Sequence, residues 1–357
     1  MRLRILYAML LSVVVGQAAL CSPLPRVGLT HDFVWTEEKD IPMLIQALKD
    51  ARVQAVRMPV RWTICEPERG KWDFSRLDKA IRMLRKEKIE ILAVLTSVPE
   101  WASGIDRRDV SGFWDMFPPK NESDWAEFVR RCVTRYRNHI RYWEIWNEQD
   151  GVDWYKPFPN PRRYVKLLKA SYTAAKAADP GATVVLGSLQ MNGIIANPWS
   201  QTKIENFLQK LYDAGCRPYC DAINIHPYVT PAPDQGASYC AKLVRDTVKV
   251  MQANGDSGKP LWITETGTFT AGHFTEEEQA AHLTSIYREL DAIPQVKLVY
   301  WFCLRDFRQT ITGGEQTMGI IAYDGRRKPA FDAFRAVAEH YAGVTVDSPT
   351  PAAGPGK

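Results

Sequence analysis

The chain has 357 residues, 45% hydrophobic and 24% charged, which is ordinary globular composition with enough apolar material for one large α/β barrel or two medium domains. Its formal charge of +5 includes Arg2 and Arg4. Without them the balance is too small and too scattered for a nucleic-acid binder.

The N-terminus reads Met1-Arg2-Leu3-Arg4, then an apolar run from Ile5 to Val15, then Gly16-Gln17-Ala18-Ala19. A charged start, an apolar middle and small residues are the order of a secretory signal peptide, expected over residues 1–21. The apolar run is shorter than the roughly 20 residues of a membrane span. A secreted or periplasmic protein is therefore expected. Bulky Leu20 before Cys21 makes a poor lipoprotein acceptor, so lipid anchoring at Cys21 is not expected.

From there the chain alternates between two patterns. β-Branched and apolar runs bounded by turn residues predict strands near Arg26–Leu29, Ala55–Val60, Ile89–Leu95, Tyr142–Trp146, Thr183–Gly187, Ala222–His226, Leu261–Glu265 and Lys297–Phe302. Periodic segments between them predict helices over Ile41–Ala51, Leu77–Glu87, Asp124–Tyr136, Arg162–Ala178, Ile204–Ala214, Tyr239–Ala253, Glu276–Leu290 and Pro329–Tyr341. Eight strands each followed by a helix predict a (β/α)8 TIM barrel, a single domain over residues 22–345. A doubly wound open sheet would want a glycine-rich phosphate loop, which the sequence lacks. Residues 346–357, rich in Pro and Gly, cannot build a core and read as a disordered tail.

Active sites on this fold lie at the C-terminal ends of the strands. Functional side chains should therefore appear where each hydrophobic run stops. Strand one leads to His31, strand two holds Arg57 and leads to Trp62, and strand four, Tyr142-Trp143-Glu144-Ile145-Trp146, ends on Asn147-Glu148. Strand six ends on His226-Pro227-Tyr228, strand seven on Glu265, and strand eight carries Trp301. Two strands that each deliver a carboxyl at the tip suit a retaining glycosidase, which takes an acid and a nucleophile from opposite sides of one bond.

The two carboxyls would need different proton affinities. Arg57 against Glu265 would keep that residue ionised, with Tyr228 or His226 adding a hydrogen bond. Glu148, flanked by Trp146 and with no cation beside it in sequence, is the candidate for a raised pKa and the acid/base role. Asn147 would bond the sugar hydroxyl next to the anomeric carbon. Because Asn147 and Glu148 have opposite parity, both face one pocket only if the strand breaks its pleat at the tip. Glu144, deeper on the same strand, is expected as a buried carboxylate paired inside the barrel, and Glu276-Glu277-Glu278 after Thr275 as helix capping.

The long interval between strands three and four carries Trp101, Phe113, Trp114 and Phe117, and Trp154 follows strand four. Aromatic faces there can stack on sugar C–H groups, so Trp101 and Trp154 join the substrate-binding candidates. No His-x-His or His-Glu-x-x-His occurs, and neither metal nor cofactor is expected. Seven cysteines fit neither a dense disulfide framework nor a zinc module, and Cys216, Cys220 and Cys240 are candidates for one or two bridges.

Trp146-Asn147-Glu148 and Ile263-Thr264-Glu265 resemble the acid/base and nucleophile signatures of glycoside hydrolase clan A. With Arg327-Lys328-Pro329-Ala330, the longer runs around them are most similar to family 39 and its relatives, which include β-xylosidases, iduronidases and bacterial exopolysaccharide endoglycosidases. The resemblance spans about Val27 to Tyr341. It implies a metal-independent retaining hydrolase of β-linked sugars and places Arg57, Asn147, His226, Tyr228 and Trp301 around the reactive subsite.

Two features depart from family 39. Its accessory β-sandwich is not found, and Gln149-Asp150 stand where a Pro is common. Both weigh against a xylosidase or iduronidase and leave the reaction class intact. The expectation is thus a monomeric, exported glycosidase acting on an oligo- or polysaccharide, with Glu148 and Glu265 as its catalytic pair. A transglycosidase using the same covalent intermediate, or an inactive sugar-binding barrel, are the alternatives.

Overall fold

The computed structural model describes residues 23–190, 204–228, 236–271, 274–308 and 315–346. The signal-peptide and Cys21 expectations lie outside these residues, as does the tail beyond residue 346. Eight parallel strands close into one barrel in chain order: β1 (Val27–Thr30), β2 (Ala55–Arg61), β3 (Glu90–Thr96), β4 (Tyr142–Asn147), β5 (Thr183–Gln190), β6 (Ile223–His226), β7 (Leu261–Thr266) and β8 (Val296–Phe302). Pairing of β1 with β8, for example Leu29 with Trp301, completes the ring. The main helices follow the strands as α1 (Ile41–Asp50), α2 (Ser75–Lys86), α3 (Glu122–Tyr136), α4 (Pro161–Ala178), α5 (Ile204–Asp213), α6 (Ala237–Ala253), α7 (Glu276–Asp291) and α8 (Pro329–His340).

The strands read as continuous apolar runs because both of their faces are buried. Their outer residues join the helices in a large core: α2, for instance, turns Leu77, Ala80, Ile81 and Leu84 inward at helical spacing. Their inner residues form a second cluster of Ala55, Leu92, Tyr142, Val185, Trp262, Leu298 and Tyr300, one or two from each of six strands, with Ala222 just before β6 and Leu24 beneath them. This plug fills one end of the barrel, and Leu24–Pro25, paired with Thr345–Val346, lies against it. Side chains of the same parity farther along each strand, among them Arg57, Glu144, Asn224, His226 and Thr264, must then project into the opposite end.

At the start of α7, Thr275 accepts from the Glu278 backbone while the Glu278 side chain returns to the Thr275 N–H, the expected capping box. The disulfide expectation fails. Cys216, Cys220 and Cys240 are free thiols, each fully buried in the apolar core, and Cys65, Cys132 and Cys303 are free as well. Burial of small apolar thiols, rather than cross-linking, explains their presence. No helix among the described residues is long and apolar enough to cross a membrane.

Candidate active site

Both candidate glutamates sit on strand tips that abandon the regular pleat. In β4, Trp146 (φ +75°) and Glu148 (φ +51°) take the left-handed conformation on either side of Asn147. Each costs about 1 kcal/mol or more for a non-glycine residue, and the result is the broken tip that parity required. Asn147 Oδ1 then accepts from Arg57 Nη2 at 2.7 Å and Ser188 Oγ at 3.4 Å, while the Glu148 carboxyl meets His226. In β7, three steps from Ile263 to Thr266 oppose two steps from Val299 to Trp301 on β8, and this bulge admits Glu265 to the pocket beside inward-facing Thr264.

Arg57, 4% exposed, is the hub. Its Nε and Nη2 each donate at 2.8 Å to Glu144, and its Nη1 donates to Glu265 Oε1. Burial works against this charge, but Glu144 and Glu265 outweigh it and hold the guanidinium protonated. Tyr228 Oη donates to Glu265 Oε2 at 2.5 Å. His226 is fully buried, with Nδ1 2.9 Å from Glu148 Oε1 and 3.5 Å from Glu265 Oε2, and Nε2 3.0 Å from Thr264 Oγ1. Burial, reinforced by Arg57, pushes its pKa far below the ordinary value, so the ring is neutral.

The environments of the two glutamates differ in what opposes burial. Glu148 is driven well above the usual carboxylate range by burial, then by the charges of Glu265 and Asp150. Burial raises Glu265 as well, which Arg57 alone did not lead us to expect, but its ion pair with Arg57 and its bond from Tyr228 pull the other way. Of this coupled pair, Glu148 holds its proton more tightly.

One oxygen from each glutamate and one nitrogen of His226 lie within 4.8 Å of one another. That spacing invites comparison with a metal centre. Every donor is already engaged, Glu265 by Arg57 and Tyr228 and His226 by Glu148 and Thr264, and a buried cation stands beside them. We do not read these three as metal ligands. A neutral acid facing an ion-paired carboxylate across so short a gap can protonate on one side of a bond and attack from the other.

Residues 21–303 match the family model described as cellulase (glycosyl hydrolase family 5). The chain belongs to this family. Family 39, named from the strand-tip motifs, is present among structural relatives: the family 5 barrel superposes on a family 39 glycoside hydrolase from Bacteroides cellulosilyticus with TM-score 0.67 and 21% identity, covering 88% of this chain and 64% of that one. A monomeric β-xylosidase from Caulobacter crescentus gives TM-score 0.68 at 17% identity, over 88% and 68% of the two chains. At such identities these establish the shared barrel. In sequence, a β-galactosidase of Lactobacillus acidophilus is 31% identical over 160 residues, 39% of this chain and 23% of that protein. The chain thus spans less than a quarter of that relative and just under two thirds of the Bacteroides enzyme.

The family 5 barrel brings Arg57, Asn147, Glu148, His226, Tyr228 and Glu265 together. Other candidates go elsewhere. Trp301 shares a face with Val299 and is fully buried in the helix layer, its Nε1 donating to Met318 O at 2.9 Å. Its neighbour Phe302 has the inward parity of Leu298 and Tyr300, and its half-buried ring meets Tyr228 edge-on at 6.5 Å. Parity along β8, read from Leu298, would have selected Phe302. Trp62 is likewise buried, in a cluster with Trp101, Trp125 and Phe128, and Nε1 donates to Glu66.

His31 bonds Thr36 at 3.1 Å through Nε2 and is kept neutral by burial and Arg305, its pKa lowered to about 3. Trp101 donates to Glu66 O and lies under Arg69. Trp154 stacks on Phe113 at 4.7 Å, both half-buried. Among the described residues, none of these five side chains touches Glu148 or Glu265 by a hydrogen bond, ion pair or ring contact; His31 reaches the hub only through its backbone N–H, which donates to Arg57 O at 3.1 Å. Glu144 is the buried, paired carboxylate expected inside the barrel, and its partner is Arg57.

Proposed function

We propose that this protein is a retaining glycoside hydrolase that cleaves β-linked O-glycosidic bonds in an oligo- or polysaccharide by double displacement. Glu148 protonates the leaving oxygen while Glu265 attacks the anomeric carbon; Glu148 then takes a proton from the water that releases the sugar. The observation that carries this reading is the closeness of the two carboxyls: one oxygen of each lies within 4.8 Å of the other, leaving little room for the water that inversion places between carboxyls roughly 6.5–9.5 Å apart. The β-galactosidase and β-xylosidase relatives support the β configuration, and Asn147, Tyr228 and Phe302 are the groups best placed to hold the reacting sugar. The charged, apolar and small-residue order of residues 1–21 supports export.

The test is a screen of β-linked polysaccharides and aryl β-glycosides with the first-formed anomer followed by proton NMR. Net retention is expected. In the same assay Glu265→Gln should lose at least about a thousandfold in kcat. Inversion, or near wild-type turnover by this variant, would rule the mechanism out.

A further inference from the structure

Two buried polar residues of the pocket, Asn224 on β6 and Thr264 on β7, touch neither glutamate. Both are completely buried, and they stand behind His226 on the side away from Glu148. The Thr264 hydroxyl is 3.0 Å from His226 Nε2, 2.9 Å from Asn224 Nδ2 and 3.0 Å from Asn224 Oδ1, and the Thr264 backbone N–H also reaches Oδ1 at 3.3 Å. We propose that Thr264, oriented by Asn224, is a positioning residue that keeps the proton of neutral His226 on Nε2, so that Nδ1 must accept the proton of Glu148 and hold that residue as the acid.

A hydroxyl has one proton and two lone pairs. If it donates to Asn224 Oδ1, both lone pairs are used, one by Asn224 Nδ2–H and one by His226 Nε2–H. The opposite tautomer would have the hydroxyl donate to Nε2, leave one of its lone pairs idle in a dry site, and place an N–H against Glu148. Buried polar groups favour the arrangement that satisfies all of them. The consequence for chemistry is direct: an Nδ1–H facing Glu148 would favour its carboxylate, whereas a bare Nδ1 favours its carboxylic acid.

Other charged and titratable groups face Glu148. They are Arg57 on β2, Glu144 on β4, Asp150 just after it, Tyr228 after β6 and Glu265 on β7. None of them touches Nε2, and Glu265 Oε2, 3.5 Å from Nδ1, already accepts from Tyr228, so the tautomer is set from the Thr264 side.

This inference rests on Glu148 being the acid, and the experiment separates the two ideas. With nitrogen-15-labelled histidine, and His226 assigned by its loss in His226→Gln, the ring shifts should report an Nε2–H, bare Nδ1 tautomer in the wild type. In Thr264→Val, which keeps the shape and removes the hydroxyl, the Nδ1–H form should grow. The alkaline limb of kcat/KM should fall by about one pH unit. Phenyl β-glycosides should lose about tenfold more than 2,4-dinitrophenyl β-glycosides, whose leaving group needs little acid help. Thr264→Ser returns the hydroxyl and should return the limb. An Nδ1–H tautomer in the wild type overturns the proposal, as does an equal loss on both substrates with an unmoved limb. Should no glycoside be turned over at all, the functional assignment falls and the ring shifts still decide the tautomer.

Discussion

At the scale of single residues, Asp150 shows how the pocket trades stability for its electrostatics. It is 2% exposed, its Oδ1 accepts from the Gln190 backbone N–H at 2.9 Å, and its Oδ2 is buried with no hydrogen-bond partner. Burial pushes its pKa from 3.8 up to about 7. The folded protein therefore keeps a proton that the unfolded chain has lost between about pH 4 and pH 7, and stability falls as pH rises through that window, then levels off. Asp150→Asn has no such group to ionise. Chemical denaturation across pH 4 to 8 should show the variant gaining on the wild type by up to about 4 kcal/mol by pH 7, most of it above pH 5. Parallel curves would mean that the Asp150 carboxyl is not confined as the structure has it. Above about pH 7, where Asp150 is ionised, the same substitution removes a negative charge near Glu148, so the stability gained there comes with a less strongly held Glu148 proton.

At the scale of elements, the strand tips explain both what was legible in the sequence and what was not. Periodicity and strand ends gave eight strands, eight helices and the Arg57, Glu148, His226, Tyr228 and Glu265 convergence, because in this fold the end of each apolar run is also the wall of the pocket. The two departures from the pleat were legible to different degrees. Opposite parity of Asn147 and Glu148 demanded a break in β4, whereas nothing in Ile263-Thr264-Glu265 announced the bulge in β7, which shows only as a register shift against β8. Trp301 entered as the strand-eight candidate through its place near the strand end and the family resemblance; strand parity, the stronger constraint, sends that indole outward. Trp62 fails for a related reason, since it begins the short helix Trp62–Cys65 and packs behind the strand.

The broken β4 tip also depends on its neighbour. A Cβ on Gly187 of β5 would lie 2.2 Å from Ile145 O, 2.4 Å from Gln149 Oε1 and 2.9 Å from Tyr164 Oη, so only glycine lets β5 come this close. Backbone carbonyls cannot step aside as a flexible side chain can. Gly187→Ala should lower stability by the roughly 1–3 kcal/mol typical of overpacking, or more. Because β4 must shift, kcat should fall even though no pocket side chain has changed. Paired thermal melts and turnover measurements would check this; an alanine variant with both values intact would contradict the packing.

For the whole molecule, the question is what holds the barrel together if the protein is exported to an oxidising compartment. In small exported domains disulfides often do this. Here the six described cysteines are free, buried and distributed over the short helix after β2, α3, the segment between α5 and β6, α6, and the end of β8. The barrel instead closes on itself through eight hydrogen-bonded strand pairs, with one apolar cluster inside and another under the helices. A fold with this design does not need cross-links, and its thiols are shielded by burial, which also raises Cys132, Cys216, Cys220, Cys240 and Cys303 above the ordinary thiol range and suppresses the reactive thiolate. Reductant should therefore leave the melting temperature unchanged, without the drop of several degrees that breaking a disulfide worth about 2–4 kcal/mol would cause. A thiol reagent should react with these six cysteines only slowly in the native protein and fully in guanidinium. A reductant-sensitive melt would show instead that two of these thiols pair in the oxidised protein, and that the barrel draws part of its stability from a bond across its helix layer.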